Sequence, residues 1–492
     1  MPRKLNYLPI ALFAFIMAYV LAVSSYMLKY FPLRSAGDMA IHIANVFFLD
    51  QYGFHKIVPN WYNGFQLFEL YSPGWSYLGL FIYKLTGNYL IMTYAALIIT
   101  YAIGFLGIYL ICKNQNISKS NTLFFFLAFF FNYILAVYAI RTGRFPELLA
   151  WSIFTLFFFA IIYCKDRTFT WKAVFIPVIY ALLMLTHIYV FVVASTLLAS
   201  ILLVKSNKER LTLVLLVLLT LVITSFWWIP FFNASQQVKD GAAEYGAGLE
   251  LLDASTLIST NTAIGLLFIA IFIFYARENR KAIAFYLPML VLDILLLSRL
   301  IYFVPILRSV PTTPYNVFFA FISLFMIFKL QNSNAKKVAF IGLIIFAVFS
   351  AAYTLRIDLD YKYSSTDKEF FDVLAHVEHS YLMLDETPDV HHEKMAAYAA
   401  TYHNLSTPIG YFREYESLKY VMANGKEVLL KEALNSIRND FKNKDCKFLH
   451  GLNELNVDEI IVKREYCSFV RSCDLKEKYS TSSLCLFRVL HN

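Results

Sequence analysis

Two carboxylates, Asp38 and Glu69, bracket the chemically densest part of the chain, SAGDMAIHIANVFFLDQYGFHKIVPNWYNGFQLFELYSPGWSY (35–77). Between and beside them lie His42, His55, Trp61 and Tyr71. Acids and imidazoles gathered this way suit proton transfer to or from a hydroxyl. Asp38 and His42 are spaced i, i+4, so they share a face if 38–50 is helical. A carboxylate there could deprotonate an acceptor hydroxyl, and partial burial would raise its pKa into a useful range. The plainer alternative is a helix cap or a solvated acid. Glu69 stands just ahead of the helix that Pro73 begins, where it could bind an amine, a metal or a sugar hydroxyl. An acid before a helix N-terminus also has a simple electrostatic reason to exist. His55, Trp61 and Tyr71 are candidate substrate contacts, although Tyr and Trp also populate membrane interfaces for their own sake.

A second group lies in RTGRFPE (141–147), with Arg141, Arg144 and Glu147. Guanidinium groups bind phosphate bidentately, which gives a reason for arginine on a non-cytoplasmic turn. Pairing with Glu147 is the alternative. His187 is a lone imidazole in apolar sequence, either packed or lining a cavity. Asp293 and Arg299 fall in or near a late apolar run, where a charge costs about 2.5–3.5 kcal/mol on insertion scales and usually pairs or lines a cavity. With Arg308 they form a second candidate phosphate site.

The elements that position these groups are membrane helices. The chain has 492 residues, 59% of them hydrophobic, 18% aromatic and only 16% charged, with a mean hydropathy of +0.56. That composition excludes an ordinary soluble domain. The net charge of +9 comes from short basic clusters between apolar runs, so it orients the chain rather than marking a nucleic-acid partner. No phosphate-cradling Gly-rich loop is present, and nucleotide-driven transport has no support.

A basic start and a long apolar run make the N-terminus a retained helix with its beginning in the cytoplasm. Further runs follow near 88–112, 121–139, 146–164, 173–204, 210–229, 257–277, 281–304, 312–330 and 336–356. Keeping every basic cluster cytoplasmic requires 173–204 to cross twice, turning at Thr186 and His187. It also requires Pro73–Thr86 to lie in the interface. The expectation is a mainly α, polytopic membrane protein with about eleven crossings. Residues 1–356 would form the transmembrane domain, with 30–87 its first external loop carrying interfacial helices. Residues 357–492 would form a small external α+β domain, with a helix end and strand at 451–466 and a closing strand at 482–490. Cys446, Cys467, Cys473 and Cys485 cluster in this tail and suit two disulfides in an oxidising compartment; free thiols or a zinc site are the alternatives, although no Cys-x-x-Cys pair is present.

The layout and the local text together resemble the GT-C class of integral-membrane glycosyltransferases. GDMAIHIANVFFLDQYG and VPNWYNGFQLFELYSPGWSYL are similar to the first external loop of that class, with an acid, an Asn/Trp/Gly segment and a Tyr-x-Pro motif. Phe68-Glu69 before Pro73-Gly74-Trp75 resembles a Phe-Glu-Lys-Pro segment of the lipid A aminoarabinose transferases. RTGRFPELLAW, LTHIYVF and SFWWIPFF resemble the second acidic turn, a later hairpin and a helix end of the class. The resemblance implies Asp38 as catalytic base, with Glu69, Glu147 and His187 lining the cavity. Trp227-Trp228 is followed by Ile229, so the Trp-Trp-Asp signature of oligosaccharyltransferases is missing, as is the protein O-mannosyltransferase pattern. A glycan or lipid acceptor is therefore expected. The basic residue common near the start of a late helix is not at Pro314-Tyr315.

The resulting expectation is an inverting transfer of a sugar from a polyprenyl-phosphate carrier to a glycan or lipid, at the non-cytoplasmic face of the plasma (inner) membrane. Asp38 and Glu69 are the catalytic candidates. His42, His55, Trp61, Tyr71, Arg141, Arg144, Glu147, His187, Arg299 and Arg308 are the substrate-binding ones. No cofactor is firmly predicted; a divalent cation is a candidate. Expected partners are the lipid-linked donor, the acceptor and membrane lipids, with no nucleic acid. The rivals are a transporter or flippase of lipid-linked sugars, and a non-catalytic partner with the same fold.

Overall fold

Apolar runs become helices, and their ends fall where charge and capping residues dictate. In the computed structural model, the described residues are 8–33, 37–132, 134–135, 142–237, 260–330, 361–384, 390–410, 419–421 and 427–490. Helix α1 (Leu8–Ser24) leads through a 3-10 turn into the first loop. That loop holds α2 (Met39–Gln51), the two-residue strands β1 (Ile57–Val58) and β2 (Phe65–Gln66), and α3 (Gly74–Thr86). Helix α3 is too short to span a bilayer at 1.5 Å per residue, and it ends at Gly87 with φ +64°.

The bundle continues with α4 (Tyr89–Asn114), α5 (Lys119–Phe130) and α6 (Phe145–Lys165). Helix α6 begins with Pro146 and Glu147 in its first turn and closes with Lys165, matching the signs of the macrodipole ends. It packs chiefly on α4. The approach is close because α4 is bare there: a Cβ on Gly107 would lie 1.9 Å from Thr155 Oγ1, and towards α5 one on Gly104 would lie 2.3 Å from the Phe130 ring.

The long run at 173–204 is divided into α7 (Phe175–Thr186) and α8 (Ile188–Val204), with His187 extended between them at φ −160° and ψ 112°. The run read as one span at 210–229 is instead broken at Thr224 into α9 (Asn207–Ile223) and α10 (Ser225–Gln237), bent by 72°. Trp227, just past the bend, donates Nε1–H to the carbonyls of Phe68 and Tyr71, both at 3.1 Å, which ties α10 to the first loop. There follow α11 (Thr260–Glu278), α12 (Ile283–Leu297), the short α13 (Pro305–Arg308) and α14 (Thr312–Lys329). Among the described residues, α4, α6 and α14 are each long and apolar enough to cross a membrane. The expected run at 336–356 lies outside the described residues.

The C-terminal region is the expected small α+β unit. Strands β3 (Tyr381–Leu384), β6 (Glu459–Lys463), β7 (Lys476–Ser480) and β8 (Leu484–Arg488) form one sheet in the order β3-β6-β8-β7. The first pair is parallel and the others antiparallel. A separate hairpin pairs β4 (Lys419–Val421) with β5 (Glu427–Leu429). Around the sheet lie α15 (Ser365–Leu374), α16 (Val390–His403), α17 (Leu430–Lys442), α18 (Phe448–Glu454) and α19 (Cys467–Ser472). Helix α17 buries Leu430, Leu434, Ile437 and Phe441, a single apolar stripe. Disulfides join Cys446 to Cys473 and Cys467 to Cys485.

The first loop is bolted to this unit. Asn60 Nδ2 donates to the Leu405 carbonyl at 3.1 Å, and Thr407 N donates to the Asn60 carbonyl at 2.8 Å. Trp61, fully buried, reaches the Ala396 carbonyl on α16 at 3.4 Å.

Candidate functional site

Asp38 occupies the N-cap position of α2, yet its backbone is helical (φ −78°, ψ −5°) and its side chain makes no capping bond. Its carboxylate lies beside Arg144 instead, with Oδ2 3.8 Å from Nε. The juxtaposition is made by backbone. Asp38 N donates to the Thr142 carbonyl at 2.7 Å, and Gly37, at φ +27°, leaves room for that oxygen where a Cβ would lie 2.3 Å away. Arg144 spans the two acids, because its Nη1 is also 3.8 Å from Glu147 Oε2. The other Glu147 oxygen accepts from Trp151 Nε1 at 3.4 Å. Exposure falls inward: the Arg144 side chain is 43% exposed, Asp38 28% and Glu147 3%. The cation and the first acid therefore sit at an opening, with the second acid behind them.

A set of polar groups lacking hydrogen-bond partners lies against this opening. His42 is buried and neither of its ring nitrogens has a partner. Its ring centre is 5.8 Å from Tyr71 and 6.5 Å from Trp75. Trp75, stacked on Phe145 at 5.3 Å, has an unpartnered Nε1, and His187 an unpartnered Nδ1. The α7–α8 turn reaches the first loop by another bare contact. A Cβ on Gly74 would lie 2.7 Å from the Leu185 carbonyl and 2.8 Å from Thr186 Oγ1. Ser72 Oγ adds a bond to the Met184 carbonyl at 3.3 Å.

Burial lowers the His42 pKa to about 3, with the nearby His187 acting in the same direction. The imidazole is neutral at pH 7 and offers one donor and one acceptor. Burial raises the Tyr71 phenol, with Asp38 and Glu147 adding to the effect and Arg144 opposing it. Tyr71 thus lies in the field of the whole cluster.

The remaining sequence candidates lie elsewhere. Glu69 is half-buried, which raises its carboxyl, and its amide donates to the Gln66 carbonyl at 3.3 Å. His55 stacks on Phe54 at 3.9 Å, within an aromatic group that includes Phe68 and Phe226. Trp61 sits in the seam with α16, away from the opening. Arg299 holds a left-handed turn (φ +63°) after α12, and Arg308 is exposed at the end of α13. Arg141 lies outside the described residues. Thr142, Gly37 and Trp227 are site-builders that the sequence does not point to, and of these only the tryptophan carries a signal. Among the described residues no three His, Cys, Asp or Glu side chains gather as a metal-ligand set, and no cation is assigned.

The fold resembles that of solved membrane glycosyltransferases of the GT-C class. A solved oligosaccharyltransferase from Archaeoglobus fulgidus, crystallised with zinc and sulfate, is 13% identical, with a TM-score of 0.52 over 92% of this chain and 68% of that one. Its apo form gives 10% identity and a TM-score of 0.57 over 95% and 71%. The arabinofuranosyltransferase AftD from Mycobacteria gives 12% and 0.57, covering 98% of this chain, which spans 40% of that one. At such identities the likeness is one of fold. Residues 68–363, more than half of the chain, match the model of a family described as "6-pyruvoyl-tetrahydropterin synthase related domain; membrane protein", and the chain belongs to that family. No curated protein matches it by sequence.

Proposed function

We propose that this chain is a membrane glycosyltransferase that moves a sugar from a polyprenyl-phosphate carrier to a glycan or lipid acceptor, with inversion. The observation that carries the reading is Arg144 spanning Asp38 and Glu147, with the unpartnered ring nitrogens of His42, Trp75 and His187 close by. In the proposed step Asp38 takes the acceptor hydroxyl proton as the acceptor oxygen bonds to the anomeric carbon. The bond from that carbon to the carrier phosphate breaks, and the phosphate leaves with the electron pair. Arg144, with Arg141, stabilises the departing anion; preplaced cations acting on developing charge are commonly the largest catalytic term. His42, His187, Tyr71 and the Trp75 N–H bind sugar hydroxyls, since neutral donors and acceptors suit a polyol. Glu69, His55, Arg299 and Arg308 are assigned to flanking parts of the acceptor or lipid path.

We place the domain boundary at 356/357, with the disulfide-bearing tail and the first loop on the non-cytoplasmic side of the plasma membrane and the N-terminus inside. Two disulfides in one small unit support an oxidising side. The test is Asp38→Asn in proteoliposomes supplied with a panel of polyprenyl-phosphate sugars. Transfer falls by at least about 10²-fold while donor binding persists; full transfer by the variant would sink the assignment. One observation favours the flippase reading: Asp293 on α12 is fully buried with neither oxygen partnered. If Asp293→Asn stops transbilayer movement of the lipid and Asp38→Asn does not, that reading replaces ours.

A further inference from the structure

The opposite end of α6 carries a second site, about 27 Å from Glu147 at 1.5 Å per residue. Here Tyr163, Cys164, Arg167, Thr168, Thr170, Trp171 and Lys172 frame a cavity of about 500 Å³. We propose that this cavity binds a phosphate anion of the kind an acidic phospholipid headgroup presents.

Charge is the first argument. The Arg167 guanidinium lies 3.9 Å above the Tyr163 ring, and the Lys172 ammonium is 3.3 Å from the Tyr163 hydroxyl, so both cations converge on one side chain. Among the described residues neither has a carboxylate partner. The nearby acids are already engaged: Asp166 with Lys165 at 3.3 Å, and Glu209 with Lys205 at 3.1 Å. Arg167 uses Nη1 on Asn114 Oδ1 and the Tyr163 carbonyl, both at 3.3 Å, and its remaining N–H groups are donors an anion could take up.

Rigidity is the second. Phe169 N donates to Glu209 Oε1 at 2.9 Å, and Lys205, its side chain nearly buried, donates to the Arg167 carbonyl. These bonds fix the backbone of the 166–172 loop to the start of α9, so the loop that carries the two cations is ordered before any ligand arrives. The Thr168 and Thr170 hydroxyls supply further neutral donors. Location is the third. Trp171 is 72% exposed at the junction of a polar loop with apolar α7, as expected of a ring in the headgroup layer. A lipid phosphate at that depth would meet both cations and leave its acyl chains along α7.

The purified full chain, delipidated in neutral detergent, is titrated with phosphatidylglycerol and with phosphatidylcholine and followed by native mass spectrometry. One phosphatidylglycerol binds in clear preference to phosphatidylcholine. Arg167→Gln with Lys172→Gln weakens it by about 25-fold, at about 5-fold per cation near a membrane surface. Lys172→Gln alone gives the 5-fold step if the double variant does not fold. A second arm adds inorganic phosphate and reads the thermal midpoint. Stabilisation by phosphate that the variants lose, without lipid preference, supports the anion site but assigns it to a soluble phosphate. Equal phosphatidylglycerol binding by wild type and variants, or no response to either probe, overturns the proposal.

Discussion

Gly37→Ala tests whether a backbone contact builds the site. An ideal Cβ at Gly37 would lie 2.3 Å from the Thr142 oxygen, 2.9 Å from its carbonyl carbon and 3.1 Å from its Cα, whereas ordinary contact starts at 3.4 Å. The obstacle is main chain, so no rotamer relieves it, and the loop and turn must part by about 1 Å. Parting breaks the 2.7 Å bond from Asp38 N to Thr142, worth about 1 kcal/mol. A side chain at φ +27° adds about 1–2 kcal/mol of left-handed strain. The Asp38–Arg144 separation, already 3.8 Å, stretches past ion-pair range. A misplacement of about 1 Å at a reacting group costs about 10²-fold in rate. The expected result is that loss in kcat, with stability lowered by about 2–3 kcal/mol. Gly87→Ala is the control: φ is +64° but nothing lies within 4 Å, so it carries the strain without the clash. Initial rates of sugar transfer in proteoliposomes, beside thermal midpoints for both variants, separate the two effects. If Gly37→Ala transfers sugar at the Gly87→Ala rate, the contact does not position Asp38 and the reasoning fails.

Other perturbations read other links. Trp61→Ala removes a fully buried ring from the seam with α16 and should cost about 3–5 kcal/mol, measured as a lowered unfolding midpoint; wild-type stability would show that the seam bears no load. Reducing either disulfide should cost about 3 kcal/mol, since the bonds close loops of 27 and 18 residues, and calorimetry with and without reductant checks this. The folded pKa of His42 is lowered, so its stability contribution is full above the unfolded value of about 6.5 and is lost as pH falls toward about 3. Melting midpoints taken from pH 8 to pH 5 should fall, and His42→Phe should flatten that slope. Glu369, held down to about 2 by bonds from Ser482, Thr481 and Ser483, acts the same way in a lower window. Its support is full above about 4.5 and is lost below, and Glu369→Gln should remove that part of the acid sensitivity.

Much of the helical layout was legible because membrane-length apolar runs and basic clusters are strong, local signals. The turn at His187 followed from them, and the tail read as α+β because 451–466 and 482–490 carry strand periodicity. The break at Thr224 was not legible. Nothing in the local pattern shows that Trp227 donates to the Phe68 and Tyr71 carbonyls, which lie about 160 positions earlier in the chain. Trp61 illustrates a different limit. An aromatic ring in an interfacial loop has the same local signature whether it faces a sugar or fills a seam, and only its bond to Ala396 decides.

The candidate site divides along the same line. Residue types pointed to Asp38, Arg144, Glu147, His42 and His187, because charges and imidazoles are rare enough in apolar sequence to stand out. Beside the ion pairs of Arg144, one further feature brings them together. It is the absence of side chains at Gly37 and Gly74, which lets one backbone press on Thr142 and another on Leu185 and Thr186. Glycines at those positions carry no chemical signal in a single sequence, so the assembly was invisible even though its members were not. The same contacts explain why Glu69 stands apart. It lies on the stretch of loop held by Trp227 of α10, whereas Asp38 is held by the Thr142 carbonyl ahead of α6. A site built this way moves as its backbone contacts move, so a conservative change at either glycine should alter catalysis more than a comparable change at Glu69.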